Sequence, residues 1–163
     1  MVVEHLAPVI EKLEECGCKI DYEKDRITLQ APKKLKATDI KTMPYPGFPT
    51  DMQAIFGSML TTAKGTSVVI ENIFENRFKY ASELQRMGAK FVIDGRTAVI
   101  KGVRRLTSAN VMAKDLRGGA ALVIAGLNAK GKTKIENIEY ILRGYENLDD
   151  KLSTLGAKIT KEV

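Results

Sequence analysis

Leu13-Glu-Glu-Cys-Gly17-Cys18-Lys19-Ile20 recurs as Leu84-Gln-Arg-Met-Gly88-Ala89-Lys90-Phe91, and again as Leu152-Ser-Thr-Leu-Gly156-Ala157-Lys158-Ile159. Counting back from each glycine, positions −8, −4 and −1 are apolar in every copy: Val9, Leu13 and Cys16; Tyr80, Leu84 and Met87; Leu148, Leu152 and Leu155. That spacing is one stripe of an amphipathic helix, and the glycine behind it suits the left-handed residue that ends a helix. The glycines lie 71 and then 68 residues apart, so the chain repeats a unit of about 70 residues.

Working outward, Lys19–Leu29 and Lys90–Lys101 each read as two short strands around a polar turn, Glu23-Lys24-Asp25 and Asp94-Gly95-Arg96. A second motif repeats between the stripes. Thr50-Asp51-Met52-Gln53 resembles a capping box, and Met52, Ile55, Phe56, Met59, Leu60 and Ala63 follow at helical spacing. That helix ends at Ala63-Lys64-Gly65, and the β-branched run Thr66–Ile73 reads as a strand. The other copy starts at Asp115, runs through Gly118–Leu127 to Ala129-Lys130-Gly131, and leads into Lys132–Ile138 with the same Glu-Asn-Ile. Its helix is apolar nearly all round, which predicts burial on every side. The expected fold class is therefore α/β, a pseudo-threefold repeat of αβαββ-type units with a strand ahead of each, buried helices inside and sheets outside. The units span about residues 1–40 (partial), 41–106 and 107–163 (truncated). The first lacks its long helix and the third stops before its strand pair, so one incomplete domain of a larger protein is expected.

At 163 residues the chain has the size of one domain, with 44% hydrophobic and 28% charged residues. No window holds the 18 or so consecutive apolar residues of a membrane span, and the N-terminus lacks a signal-peptide core, which excludes a membrane role and predicts a cytoplasmic protein. Cys16 and Cys18 are one residue apart and cannot staple distant segments; both read as small buried apolar residues in a reducing compartment. A single histidine, His5, excludes Ser-His-Asp catalysis and a zinc site of several histidines, and no metal or other cofactor is expected. The net charge of +6 favours anionic partners. The densest basic run, Lys33, Lys34 and Lys36, carries no aromatic and reads as a solvated loop. Trp is absent and aromatics are only 6%, which argues against nucleic acid bound by base stacking.

Asp51 and Asp115 both stand at predicted helix N-termini, where spacing alone reads them as caps that compensate the helix dipole. Arg77 and Arg143 occupy corresponding places after the two Glu-Asn-Ile segments, at the predicted start of the amphipathic helices. A helix N-terminus is a poor place for a cation, and anion capture is one reason to keep one there twice.

Four ordered segments, Pro44-Tyr-Pro-Gly-Phe-Pro-Thr-Asp51-Met-Gln, Glu71-Asn-Ile-Phe-Glu-Asn-Arg77-Phe, Lys114-Asp115-Leu-Arg117 and Arg143-Gly-Tyr-Glu-Asn, together resemble the UDP-N-acetylglucosamine 1-carboxyvinyltransferases of the enolpyruvyl transferase family. The resemblance covers essentially the whole chain and implies the C-terminal part of a two-domain enzyme. That enzyme moves enolpyruvyl from phosphoenolpyruvate to the 3-hydroxyl of UDP-N-acetylglucosamine, with release of phosphate, in peptidoglycan synthesis. It also implies roles. Asp51 would contact the sugar's 3-hydroxyl as its general base, and Ile73 would offer backbone to the sugar nucleotide. Arg77, Arg117 and Arg143 would hold the phosphate and carboxylate of phosphoenolpyruvate or close the domains over it, and Asp115 would orient or shuttle protons beside the enol. The implied partners are the two substrates and an absent N-terminal domain, without which the chain is expected to be inactive. Cys16 and Cys18 match no motif of the family. A 3-phosphoshikimate-type transferase, or a non-catalytic nucleic-acid-binding module on the same scaffold, are the alternatives.

Overall fold

A computed structural model of the chain describes residues 3–23 and 26–162, so the expected turn at Lys24-Asp25 lies outside the described residues. A 3-10 turn at Val3–Leu6 leads into α1 (Ala7–Glu15) and a hairpin of β1 (Lys19–Glu23) and β2 (Arg26–Gln30). Then follow β3 (Ile40–Lys41), α2 (Thr50–Leu60), β4 (Thr66–Ile70), α3 (Ala81–Arg86), β5 (Lys90–Asp94) and β6 (Thr97–Lys101). The last part holds β7 (Asn110–Met112), α4 (Leu116–Asn128), β8 (Lys134–Glu136), α5 (Glu139–Leu142) and α6 (Leu148–Thr154). The middle stretch thus runs α2-β4-α3-β5-β6 behind β3, the αβαββ order read from the repeat.

The three helices marked by the repeated stripe end alike. Gly17, Gly88 and Gly156 have φ of 94°, 88° and 91°, values that favour a residue without Cβ. Each glycine N–H reaches back three residues, to Glu14, Gln85 and Ser153. The next N–H reaches back five, from Cys18 to Leu13, Ala89 to Leu84 and Ala157 to Leu152, at 3.0 Å in all three. This is the Schellman ending, in which two orphan carbonyls of the last turn find donors.

In the middle sheet, ordered β3-β4-β6-β5, β3 and β4 are parallel and the remaining pairs antiparallel. Period-2 alternation turns Ile40, Val69, Phe91, Ala98 and Ile100 into the core and Val92 outward, while Ile93, on the face of Phe91, is left 44% exposed near the end of its strand. The parallel pair recurs between β7 and β8, with Val111 opposite Ile135 where Ile40 stands opposite Val69. Inside the sheets, α2 lies against α4, and the Ser58 hydroxyl donates to the Ala121 carbonyl at 2.9 Å. The fully buried Tyr80 is wedged between them. A Cβ at Gly57 would come within 2.6 Å of its Oη, and one at Gly118 within 3.1 Å of its Cβ. Small residues on both helices are therefore a steric requirement of this packing.

One expectation needs correction. The helix α4 is not buried on every side: Ile124 and Leu127 face solvent at 36% and 42% exposure. The third stripe is left open. Cys16 and Met87 are 0% exposed, whereas their counterpart Leu155, in the unit expected to stop before its strand pair, is 83% exposed, and residues 157–162 after it form neither helix nor strand. Leu127, Ile135, Leu142, Leu148, Leu152 and Leu155 line a groove of 1210 Å³ on this side. The cysteines match their reading: both are buried, and burial, followed by Cys18 and Glu15, pushes the Cys16 thiol up to about 11, far from a reactive thiolate.

The unequal burial of equivalent positions has a direct consequence. Met87→Ala should lower stability by about 2–4 kcal/mol through the cavity it leaves, whereas Leu155→Ala should change it by less than about 0.5 kcal/mol. Urea midpoints of the two variants at constant m-value check this; equal losses would contradict it.

Candidate functional site

At the end of β4 the chain leaves the sheet through Glu71-Asn72-Ile73-Phe74. Glu71 is 1% exposed. Its Oε1 accepts from Thr42 Oγ1 at 2.9 Å, Ile73 N at 2.9 Å and Phe74 N at 3.1 Å, and its Oε2 accepts from Thr50 Oγ1 at 2.9 Å. Four donors compensate a buried carboxylate that would otherwise be costly. Because the Ile73 N–H is used here, any backbone contact from Ile73 to a ligand falls to its carbonyl oxygen.

Thr50 Oγ1 in turn accepts from Arg77 Nε at 3.3 Å, and Arg77 Nη2 pairs with Asp51 Oδ1 at 3.3 Å. The same guanidinium lies 4.7 Å from the centre of the Phe74 ring, in cation–π range. Arg117, in the first turn of α4, donates its Nε to the same Asp51 oxygen. Asp51 therefore sits between arginines of two different repeat units while its side chain stays 61% exposed. The hydrogen bond from Arg117, then the charges of Arg117 and Arg77, hold its carboxyl below the ordinary 3.8 against the opposing effect of partial burial. Arg117 is correspondingly pushed up by Asp51.

The capping-box reading of Thr50 and Asp51 is not what the structure has. The N-cap of α2 is Pro49, Thr50 is the first helical residue, and its hydroxyl serves Glu71 and Arg77 instead of the helix amides. Asp115 is a true cap, its Oδ1 accepting from Gly118 N at 2.7 Å. Arg77 does not start the amphipathic helix as expected: it lies in the turn ahead of α3, which begins only at Ala81. Nor does Arg143: it is the C-cap of the one-turn helix α5, where a cation is favoured, and α6 begins only at Leu148. The turn that carries it abuts the start of α4, since a Cβ at Gly144 would come within 2.7 Å of the Leu116 side chain. Tyr145 follows, its phenol pushed up first by burial and also subject to the charges of Arg117 and Asp51.

So Arg77 and Arg117 both contact Asp51, Asp115 caps the helix that carries Arg117, and Arg143 is brought into no contact with them, although Gly144 beside it packs on the start of that helix. Glu71, Thr50 and Phe74 escaped the sequence reading. The repeated Glu-Asn-Ile was the available signal, but it looked like strand. Its second copy behaves differently, for Glu136 stays in β8 and pairs with Lys134 at 3.4 Å on the surface.

The sequence pattern of the family described as EPSP synthase (3-phosphoshikimate 1-carboxyvinyltransferase) matches residues 2–152. This chain belongs to the EPSP synthase family. Among relatives of this EPSP synthase-family chain, the UDP-N-acetylglucosamine 1-carboxyvinyltransferase of Desulfofundulus thermocisternus is 57% identical over 98% of the chain, which spans 65% of that protein. UDP-N-acetylglucosamine 1-carboxyvinyltransferase 1 of Caldanaerobacter subterraneus subsp. tengcongensis is 56% identical over 99% of the chain, which spans 39% of it. The enolpyruvyl transferase NikO from Streptomyces tendae superposes with a TM-score of 0.87 at 29% identity, over 95% of this chain and 36% of that one. EPSP synthase from Acinetobacter baumannii shares the fold, with a TM-score of 0.59 at 19% identity over 79% of this chain and 31% of that one.

The ion-paired geometry fixes a titration. Arg117→Ala should raise the midpoint of Asp51 toward the ordinary 3.8, read from its side-chain 13C resonance. A carboxyl whose folded value is depressed adds stability above its unfolded value and loses it as pH falls through the folded one. At 61% exposure that contribution should stay below about 1 kcal/mol. An unmoved midpoint would show that Arg117 does not hold Asp51.

Proposed function

We propose that this chain is part of a UDP-N-acetylglucosamine 1-carboxyvinyltransferase acting in the cytoplasm, and that it forms one wall of a cleft closed by a second domain. The supporting observation is that two arginines from different repeat units converge on one exposed aspartate. Those two guanidiniums, once drawn away from Asp51, would suit the phosphate and carboxylate of phosphoenolpyruvate, since their planar forks pair bidentately with such groups.

The reaction joins a sugar hydroxyl to C2 of phosphoenolpyruvate while C3 gains a proton; the tetrahedral adduct then loses phosphate and a proton. Asp51 in its resting ion pair is a weak base. An anionic substrate competing for Arg117 and Arg77 would release it, so that basicity appears when the acceptor and the phosphoenolpyruvate are both in place. Ile73 would offer its carbonyl to the sugar nucleotide. Asp115 has one oxygen engaged by Gly118, and its other would orient or relay the proton beside the enol. Arg143, at the rim, would complete the cationic set when the domains close.

Titration of the 15N-labelled chain with UDP-N-acetylglucosamine should shift the amides around Asp51, Ile73 and Phe74, whereas single-stranded RNA should not. A preference for shikimate 3-phosphate would point to the sister reaction. Mixing the chain with the part of the Caldanaerobacter relative that it does not span should restore phosphate release. In that mixture Arg143→Ala should cost about 2–4 kcal/mol in kcat/KM. Absence of both binding and complementation would refute the proposal.

A further inference from the structure

We propose that Glu71, from beneath the site, is a positioning residue that sets Arg77 against Asp51 through Thr50 and at the same time sets the Ile73–Phe74 backbone. The nucleotide-sugar ledge and the candidate base are then held as one piece; the inference rests on the reaction proposed above.

The two oxygens of Glu71 have separate duties. Oε1 gathers Thr42, Ile73 N and Phe74 N, and Oε2 takes Thr50 alone. A carboxylate can only accept, so Thr50 must spend its single proton on Glu71 and turn its lone pairs outward. Arg77 Nε then finds an acceptor at 3.3 Å, which leaves Nη2 for Asp51 at 3.3 Å. The third restraint on Arg77 is the Phe74 ring at 4.7 Å, and the Phe74 N–H is itself bound by Glu71. The orientation of Arg77 therefore traces to one buried carboxylate from both sides. At 1% exposure Glu71 does not itself meet a ligand, and the surface position of Glu136 in the other copy shows that the repeat alone does not require a buried glutamate here.

Three variants separate the duties. Thr50→Val cuts the link to Arg77 together with the bond to Glu71 Oε2, and leaves the Oε1 contacts to Thr42, Ile73 and Phe74 in place. Glu71→Gln can keep an oxygen toward Ile73 and Phe74 but turns an NH2 group toward Thr50, which reverses the bond that orients it. Thr50→Ser restores the hydroxyl. In the labelled chain, the Nε–Hε signal of Arg77 should move to the position of a free, solvent-exchanging arginine in Thr50→Val and Glu71→Gln and stay in place in Thr50→Ser. The Ile73 and Phe74 amides should move only if Glu71 is changed. In the complemented enzyme, Thr50→Val should lower kcat/KM for phosphoenolpyruvate about tenfold, the scale of one lost hydrogen bond to a charged group, with KM for UDP-N-acetylglucosamine unchanged. Glu71→Ala should raise that KM as well, and if it does not fold, Thr50→Val and Glu71→Gln carry the test. An Arg77 signal that stays put in both variants, equal effects of Thr50→Ser and Thr50→Val, or unchanged kinetics once the Arg77 signal has moved would each overturn the inference. If the mixture is inactive with the unaltered chain, the proposed reaction fails there, while the positioning of Arg77 is still decided by the resonances.

Discussion

The close approach of α2 and α4 is the constraint on which the site depends. Asp51 comes from the first turn of one and Arg117 from the first turn of the other, and the two reach each other because the helices carry glycine, alanine and serine where they touch. The Ser58 hydroxyl ties the pair at the Ala121 carbonyl, and Tyr80 fills the space that Gly57 and Gly118 leave. A larger residue on either face would force the helices apart or expel the ring. The separation of carboxylate and guanidinium is thus governed by residues with no polar atom in the site.

Around that pair the sheet supplies the second fixed part. Leaving β4, the chain turns under α2 because Glu71 gathers two successive amides and two threonine hydroxyls from separate segments. A surface loop becomes a defined ledge through one buried charge. The arrangement is local to the middle unit, and it marks where three quasi-equivalent modules stop being interchangeable.

Much of this was legible in the sequence. The glycines at 17, 88 and 156 announced three identical helix ends because a left-handed residue after an apolar stripe has few other readings. The helix pair and its αβαββ order followed from periodicity, and the Asp51 and Arg117 segments from family resemblance. What was not legible has physical causes. Glu71 continues a β-branched run, and only tertiary partners reveal that it has left the strand. Arg143 was misplaced by the one-turn helix α5, too short to show a period. The exposure of Leu155 could not be read from its stripe either, because a stripe records which side is apolar, not whether anything covers it.

The engaged N–H of Ile73 bears on small-molecule design. The ledge has a lone pair to give there and no hydrogen, so a compound built against it should present an alcohol, amine or amide proton at that point. An ether or ketone would set oxygen against oxygen, and this polarity is dictated from below by a carboxylate that no inhibitor touches.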